Sequence, residues 1–184
     1  MITSCLGFTP KFDSGVFLAP SADIIGNVEI GKNSSVWFNV TIRGDIGPIR
    51  IGNDTNIQDN SVIHGTFNKA FAVIGNQVTI GHSVIMHGCS IDDLCLIGMG
   101  SIIMDNTHIP KNCIVGAGSL VTEGGRFEPG TLIMGRPAKA VRALKNEELE
   151  FLPKSAQNYI MYKSWYEDPS KRAPQNMKFE LGDY

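Results

Sequence analysis

The sequence predicts an all-β solenoid, a parallel β-helix of hexapeptide repeats followed by a C-terminal α-helix. Aliphatic residues recur every six positions through fifteen repeats, and a small or β-branched residue stands four positions after most of them. Glycine often follows the aliphatic residue directly, as in IGK, IGN and IGH. The pattern is typical of a β-helix in which each hexad forms one short strand with its corner, and three hexads close a triangular coil. Twenty glycines and many β-branched residues argue against a helical bundle.

The repeats divide into three columns that run along the predicted prism. Every irregular spacing follows the third hexad of a coil, so loops are expected to leave the prism from one corner. The first column is Ile30, Ile51, Ile74, Ile91 and Ile109; the middle column is Val36, Ile57, Ile80, Ile97 and Val115; the third column is Ile42, Ile63, Met86, Ile103 and Val121.

Length and composition predict one folded domain with an added C-terminal element. We assign residues 1–140 to the β-helix domain, and residues 141–184 to a helix and tail packed on it. The segment NEELEFLPKSAQNYIMYKSWYED predicts an amphipathic helix with a break near Pro153. Its aromatic residues are expected to pack on the prism and to cover the open edge of the solenoid. The final KRAPQNMKFELGDY is polar, and we expect it to be loosely attached.

Charge and cysteine content exclude several classes of function. A formal net charge of -2 and a pI near 6.1 provide no basic field for nucleic acid or for an anionic membrane. No apolar run approaches the roughly 20 residues that span a bilayer, and the N-terminal residues lack the features of a signal peptide. A cytoplasmic protein with reduced thiols is the default prediction. Cys95 and Cys113 fall in the small inward slot of their hexads, which favours core positions, whereas Cys89 lies near His87 as a candidate extra ligand.

Three of the four histidines lie within a short stretch of the chain. His64 and His87 each follow a third-column aliphatic residue directly, so we expect them to stack about 4.8 Å apart, the usual spacing between strands. His82 stands two positions after Ile80 in the middle column and should point from another edge. A neighbouring chain whose middle-column edge packs on this third-column edge would complete a three-histidine site. Head-to-tail contacts of that kind close into a ring, and three faces predict a homotrimer.

Three histidines with an open fourth position are the usual catalytic zinc pattern, and zinc lowers the pKa of bound water to about 7. The alternative is three unrelated surface histidines. Imidazole also suits Fe²⁺ and Co²⁺, so zinc is the first expectation for the metal and not the only one.

Polar residues near the histidines occupy equivalent positions in the repeat. Arg43 occupies in its coil the slot of His64, and Asp59 occupies the slot of His82, so a neighbouring chain would present Asp59 close to Arg43. The alternative is a solvated surface pair of little energetic value. Gln58 should project outward beside Asp59, where it either hydrogen-bonds to a metal-bound water or is only solvated. Asp45 either orients Gln58 or Arg43, or accepts hydrogen bonds from a turn backbone.

Five segments resemble the gamma-class carbonic anhydrase family, in particular its short bacterial branch. They are IRGD at 42–45, NIQDNSVIH at 56–64, TIGHSVIMHGC at 79–89, IGMGSI at 97–102 and GRPAK at 135–139. The resemblance implies a left-handed β-helix that forms a trimer, holds metal at its subunit interfaces and hydrates CO2 to bicarbonate.

The same resemblance implies roles for individual residues. His64 and His87 of one chain and His82 of the next match the metal ligands, and Arg43 and Asp59 match the interface pair. The groups that position the metal-bound hydroxide are matched by Asp45 and Gln58. Tyr159, or Asn158 beside it, resembles the residue that reaches the site from the C-terminal helix.

The chain departs from the family where carboxylates that move protons are expected. Ile46 follows the RGD-type aspartate, and the loop GTFNKAF after His64 has no carboxylate. Two other functions therefore stay open at this point. One is a hexapeptide-type acyltransferase that uses an acyl-CoA, with one histidine as general base and a CoA groove between coils. The other is a metal-binding assembly subunit with little turnover.

Overall fold

The computed structural model describes residues 1–168 and residue 170. It shows a left-handed parallel β-helix of about seven turns with one C-terminal helix, which confirms the predicted fold class. The tail that we expect to be loosely attached, KRAPQNMKFELGDY, lies outside the described residues. Among the described residues, the helix lacks a stretch that is apolar over the length needed to cross a membrane.

Each predicted column is a ladder of parallel strand pairs. The inward aliphatic residues of successive coils are register partners in all three columns. The first-column strands are Lys11–Phe12, the end of Asp23–Ile30, the end of Thr41–Ile51, Ala72–Ile74, Ser90–Ile91 and His108–Ile109. The middle-column strands are Phe17–Leu18, Ser35–Val36, Asn56–Ile57, Thr79–Ile80, Leu96–Ile97, Ile114–Val115 and Thr131–Gly135. The third-column strands are Ile2–Thr3, the start of Asp23–Ile30, the start of Thr41–Ile51, Val62–His64, Ile85–His87, Ile102–Ile103 and Leu120–Val121.

Two long strands connect columns, and a third strand, at the end of the solenoid, runs antiparallel to its neighbour. Asp23–Ile30 and Thr41–Ile51 run through the corner from the third column into the first, so these columns form one sheet of eleven strands. The middle column forms a second sheet of eight strands. Its last strand, Ala138–Ala143, pairs antiparallel with Thr131–Gly135 and ends the solenoid.

The core is a stack of aliphatic side chains that alternate with small polar ones. The fifteen predicted column residues are all buried. In the small slot, hydroxyl groups donate to glycine carbonyl oxygens of the following coil: Ser34 Oγ lies 2.7 Å from Gly52 O, and Ser61 Oγ lies 3.0 Å from Gly81 O. These bonds satisfy polar groups that would otherwise be costly to bury.

The glycine that follows the aliphatic residue is required by the closeness of the coils. A Cβ atom on Gly52 would lie 2.6 Å from the carbonyl carbon of Gly75 in the next coil. That distance is too short for a side chain, so the IGN repeats mark positions where two backbones approach directly.

The C-terminal helix runs without interruption from Asn146 to Glu167, so the predicted break near Pro153 is wrong. Proline removes one N–H from the helix and crowds the carbonyl group of the preceding turn. The helix continues because residues on both sides of Pro153 are held by the solenoid: Leu152, Ser155 and Ala156 are all buried. Tertiary packing thus outweighs the local preference.

Two hydrogen bonds fix the helix on the middle column. Ser155 Oγ lies 3.0 Å from Thr79 Oγ1, and Lys163 Nζ donates to the carbonyl oxygen of Gly15. The aromatic residues of the helix consequently lie over the middle-column edge of the prism. The domain boundary at residue 140 stays a prediction.

Candidate metal centre

His64 and His87 are stacked neighbours on the third column. The two residues are register partners of adjacent strands, and their ring centroids lie 5.3 Å apart with the planes at 63°. Both rings lie on the outer side of the prism, because the residue before each of them points into the core. The structure therefore brings together the two histidines that the sequence places in one slot.

Asp45 and Arg43 hold the His64 ring from the coil below. His64 Nε2 lies 3.0 Å from Asp45 Oδ1, and Arg43 Nη1 donates to Asp45 Oδ2 at 2.5 Å. Arg43 Nη2 also lies 3.4 Å from His64 Nδ1. Burial opposes ionisation of Asp45, but the hydrogen bonds from Arg43 and His64 outweigh it and keep the pKa of this carboxyl below its ordinary value. Asp45 is therefore an ionised acceptor that joins Arg43 to His64.

Asp105 holds the His87 ring from the coil above, and sequence reasoning missed it. Asp105 Oδ1 lies 2.6 Å from His87 Nδ1, and Thr66 Oγ1 donates to Asp105 Oδ2 at 2.5 Å. Burial opposes ionisation of Asp105, but the hydrogen bonds from Thr66 and His87 keep its pKa below the ordinary value. The available signal was its position two residues after Ile103, one coil above His87 in the third column.

His82 lies on the middle-column edge with Asp59 and Tyr159. His82 Nδ1 is 2.8 Å from Asp59 Oδ2, and the three residues line a hollow of about 270 Å³ whose other walls are aromatic. Tyr159 packs edge-on against Trp37 with ring centroids 5.4 Å apart. Burial raises the pKa of Tyr159 to about 12, with a further contribution from the charge of Asp59. Its hydroxyl group is therefore protonated at neutral pH and can donate a hydrogen bond.

Gln58 is buried, which excludes the solvated glutamine that the sequence left open. Its Nε2 donates to Asn56 Oδ1 at 3.1 Å, and Asn56 Nδ2 donates to Thr79 Oγ1 at 3.0 Å. Thr79 contacts Ser155 of the helix. The Gln58 amide is thus fixed by a chain of hydrogen bonds that ends on the helix.

The cysteines and the fourth histidine lie apart from these groups. Cys89, Cys95 and Cys113 are buried in the core, and burial raises the pKa of the Cys89 thiol to about 12. Cys89 packs among the aliphatic residues of the core, whereas the His87 ring lies on the outer side of the prism, so the suggestion of Cys89 as an extra ligand is not supported. His108 is exposed on the first column and lies 3.0 Å from Asp92.

The donor set fits a metal in its chemistry. His64, His82 and His87 each have one ring nitrogen at a carboxylate, as metal-binding histidines commonly do. The second ring nitrogen of His64 lies 3.4 Å from Arg43 Nη2, so Arg43 must move aside for His64 to bind a metal through that atom. Within the described part of one chain, no cluster of three potential ligands forms, since His82 lies on a different edge from the stacked pair. The structure brings Arg43, Asp45, His64 and His87 together, and separately Asp59, His82 and Tyr159.

Relatives of known family match most of the chain. No family model matches it. The chain is 38% identical over 157 residues to gamma carbonic anhydrase 2, mitochondrial, of Arabidopsis thaliana. It is also 42% identical over 166 residues to a carbonic anhydrase of Geobacillus kaustophilus, which covers 90% of this chain and 91% of that protein. The chain belongs to the gamma carbonic anhydrase family. This confirms the resemblance read from its motifs.

The family members differ in length, and solved structures share the fold. This gamma carbonic anhydrase family member spans 56% of the length of the Arabidopsis gamma carbonic anhydrases 1 and 2 that it matches. A hexapeptide transferase family protein from Anaplasma phagocytophilum superposes with a TM-score of 0.87 at 44% identity, covering 90% of this chain and 98% of that one. An N-acyltransferase from Bacillus cereus, solved with coenzyme A, has a TM-score of 0.66 at 18% identity, which shows the fold alone.

Proposed function

We propose that this protein is a metal-dependent carbonic anhydrase that interconverts CO2 and bicarbonate, with zinc as the metal. One observation carries the proposal: His64 and His87 are stacked, and each is held through one ring nitrogen by a carboxylate. Two imidazoles held in this way are two of the three ligands of a three-histidine site. The membership of the gamma carbonic anhydrase family supports the choice of reaction.

The missing ligand is His82 of a neighbouring chain in a homotrimer. His82 lies on the edge that carries Asp59 and Tyr159, so a neighbour that supplies it also supplies both of these residues. Val62 and Ile85 are exposed apolar residues of the strands that end in His64 and His87. An exposed apolar strip beside a half-formed site supports contact with another subunit. In that contact Asp59 approaches Arg43, as the sequence predicts.

The residues of the chain have distinct parts in the proposed reaction. When bound, zinc supplies a Lewis acid and a water of lowered pKa. Asp45 fixes His64 and holds Arg43, whose positive charge attracts an anionic product such as bicarbonate. Tyr159 can donate a hydrogen bond from its protonated hydroxyl group. Gln58 has an amide already oriented through Asn56, which suits it to position a small polar reactant.

Proton release is the slow step of the proposed mechanism. The loop of residues 65–71 has no carboxylate, and Ile46 stands with Phe71 beside Arg43 in an apolar wall. Without a side chain to pass the proton on, buffer molecules must collect it from the site. The proposed enzyme is consequently slow in dilute buffer.

Metal analysis combined with a CO2 hydration assay tests the proposal. Protein purified without added metal should contain about one metal per chain, and the same analysis distinguishes zinc from Fe²⁺ and Co²⁺. Hydration of CO2, followed by stopped-flow pH indicator, should be lost in His87→Ala and kept in His108→Ala, the matched change at an exposed histidine that also pairs with an aspartate.

Two outcomes would replace the proposal by an alternative. Metal without measurable hydration in concentrated buffer would favour an assembly subunit. Transfer of an acyl group from acyl-CoA that needs one histidine and no metal would favour an acyltransferase; the structural neighbour from Anaplasma phagocytophilum is named a hexapeptide transferase family protein. A cytoplasmic location stays a prediction, independent of these results.

A further inference from the structure

Asp105 stands in a slot that the chain keeps free for its carboxylate. Gly88 lies directly beneath it with φ at +54°, and a Cβ atom on Gly88 would lie 2.6 Å from Asp105 Oδ1 and 2.5 Å from the Cβ of Ala70. A side chain at position 88 would force Asp105, Ala70 or both to shift. Glycine at position 88 therefore leaves space for the Asp105 carboxylate, which comes from the next coil.

Both oxygens of Asp105 are occupied by donors from different parts of the chain. Oδ1 lies 2.6 Å from His87 Nδ1, and Oδ2 accepts the Thr66 hydroxyl group at 2.5 Å. A carboxylate held at both oxygens has a fixed orientation, and charge-assisted bonds of this length are strong ones. The Asp105 side chain is also nearly enclosed, with 12% of its surface exposed, compared with 21% for Asp45 and 30% for Asp59.

Thr66 belongs to the loop that follows His64, so the brace connects the two stacked histidines. The loop closes on itself through Thr66 N–H to Ala70 O at 2.9 Å, and Lys69 Nζ binds Glu123 Oε1 at 2.9 Å. The first contact closes the loop, and the second holds it against the coils above His64. The position of Asp105, and through it the ring of His87, is set by this loop as well as by the solenoid.

We infer that Asp105, braced by Thr66, is a positioning residue that keeps the His87 imidazole with its proton on Nδ1 and its lone pair on Nε2. An ionised carboxylate only accepts hydrogen bonds, so a ring nitrogen 2.6 Å away must carry the proton. In a neutral imidazole the other nitrogen then has the free lone pair, which a metal ion requires. The inference rests on the proposed function in naming His87 a ligand, and it adds a residue and a loop to that site.

The test uses two substitutions and two controls. Asp105→Asn keeps the shape but allows an amide to donate to Nδ1, which installs the other tautomer. Thr66→Val removes the brace at nearly constant shape, whereas Thr66→Ser keeps the hydroxyl group. Asp92→Asn is the matched control. Asp92 lies 3.0 Å from His108, which makes another aspartate–histidine pair, but this pair is exposed and lies outside the site.

Nitrogen-15 NMR of the metal-free protein measures the tautomer of neutral His87, and chelator competition measures affinity for Zn²⁺. We expect the Nδ1-protonated form in the unaltered protein, a shift towards the Nε2-protonated form in Asp105→Asn, and metal binding about 10–100-fold weaker. Thr66→Val should change both readouts in the same direction to a smaller extent. Thr66→Ser and Asp92→Asn should resemble the unaltered protein.

An unchanged His87 tautomer in folded Asp105→Asn would overturn the inference, and so would a shifted tautomer with unchanged Zn²⁺ affinity. If Asp105→Asn does not fold, Thr66→Val decides by the same criteria. The NMR measurement needs neither metal nor CO2. A protein that hydrates no CO2 but shows the tautomer shift and the weaker Zn²⁺ binding would refute the proposed reaction and leave the role of Asp105 intact.

Discussion

The rings of His64 and His87 meet edge to face at 5.3 Å because one coil of the solenoid separates them. Neither ring depends on the C-terminal helix for its place, since both are carried by strands of the third column. His82 has the reverse arrangement: it lies in the hollow that the helix builds with its aromatic residues. The stacked pair is thus held by the solenoid alone, whereas the surroundings of His82 also depend on the C-terminal helix.

Removal of the metal should leave the β-helix folded. The core consists of three aliphatic columns buried in the prism, and the histidines lie outside it. We expect a chelator to remove the metal with little change in far-ultraviolet circular dichroism and a modest fall in the thermal midpoint, as for loss of a ligand that binds only the native state. Collapse of the β-sheet signal on chelation would mean that the metal is structural.

A carboxylate added to the loop after His64 should speed the proposed reaction. Phe67 is exposed at the tip of this loop, so Phe67→Glu places a proton acceptor there without removing core packing. We expect faster CO2 hydration in dilute buffer and a smaller gain in concentrated buffer, where buffer molecules already collect the proton. Phe67→Gln is the uncharged control. Equal rates for the two variants in dilute buffer would count against proton transfer as the limiting step.

The start of the C-terminal helix should lose stability in acid. The Arg142 guanidinium, followed by the Lys145 backbone N–H, holds the pKa of Glu148 at about 2, compared with an ordinary value of 4.5. Because the folded-state pKa is the lower one, this carboxylate stabilises the fold fully above pH 4.5, and its contribution falls as the pH drops towards 2.

We therefore expect Glu148→Gln to lower the urea midpoint of unfolding at neutral pH, and to lower it progressively less below pH 4.5. Glu147 is the control, since it lies in the same turn with only a looser contact to Lys145 at 3.5 Å. A Glu148→Gln deficit that is constant from neutral to acid pH would show that charge at this position does not matter.

Relieving the helix at Pro153 should stabilise the protein. Proline in a helix interior is about 3 kcal/mol less favourable than alanine, and Pro153 lies well inside an unbroken helix. Pro153→Ala restores an N–H for the carbonyl oxygen of Leu149, so we expect a higher free energy of unfolding, by up to about 3 kcal/mol. Lys154→Ala next to it, on an exposed position, should change stability little. A lower thermal midpoint for Pro153→Ala would show that the proline ring is needed for packing on the solenoid.

The columns could be predicted from sequence because each inward position is filled by a residue of one kind at a constant period. Ile42, Ile63 and Met86 are register partners as expected, and this alone brings His64 next to His87. Prediction from sequence failed where the C-terminal helix packs on the solenoid. The period does not predict the burial of Gln58 or the unbroken helix around Pro153, because both depend on tertiary packing.

Asp105 escaped prediction for a related reason. Its carboxylate reaches His87 only because Gly88 leaves space and Thr66 reaches across from the loop of residues 65–71. A loop outside the six-residue repeat has no fixed place in the columns, so no spacing rule could connect Thr66 with Asp105. The inward columns could be predicted from the repeat, whereas the contacts made by this loop could not.

Sharing of the metal site between chains makes the sharpest prediction. A variant with His64→Ala and His87→Ala lacks the stacked pair, and a variant with His82→Ala lacks the third ligand, so neither trimer should bind metal at these sites. After the two are unfolded, mixed and refolded, every trimer that contains both kinds of chain has one junction where an intact pair meets an intact His82. Head-to-tail closure allows only one such junction in a ring of three.

Mixed trimers, isolated by two different affinity tags, should therefore recover about one third of the metal of the unaltered trimer. The control is a mixture of the His64→Ala, His87→Ala variant with a chain that lacks all three histidines, in which no junction has a complete ligand set. If one chain supplied all ligands, mixing would restore nothing, and verified mixed trimers without metal would refute the shared site. Recovery of metal in the first mixture and not in the second would establish that His82 acts across the interface.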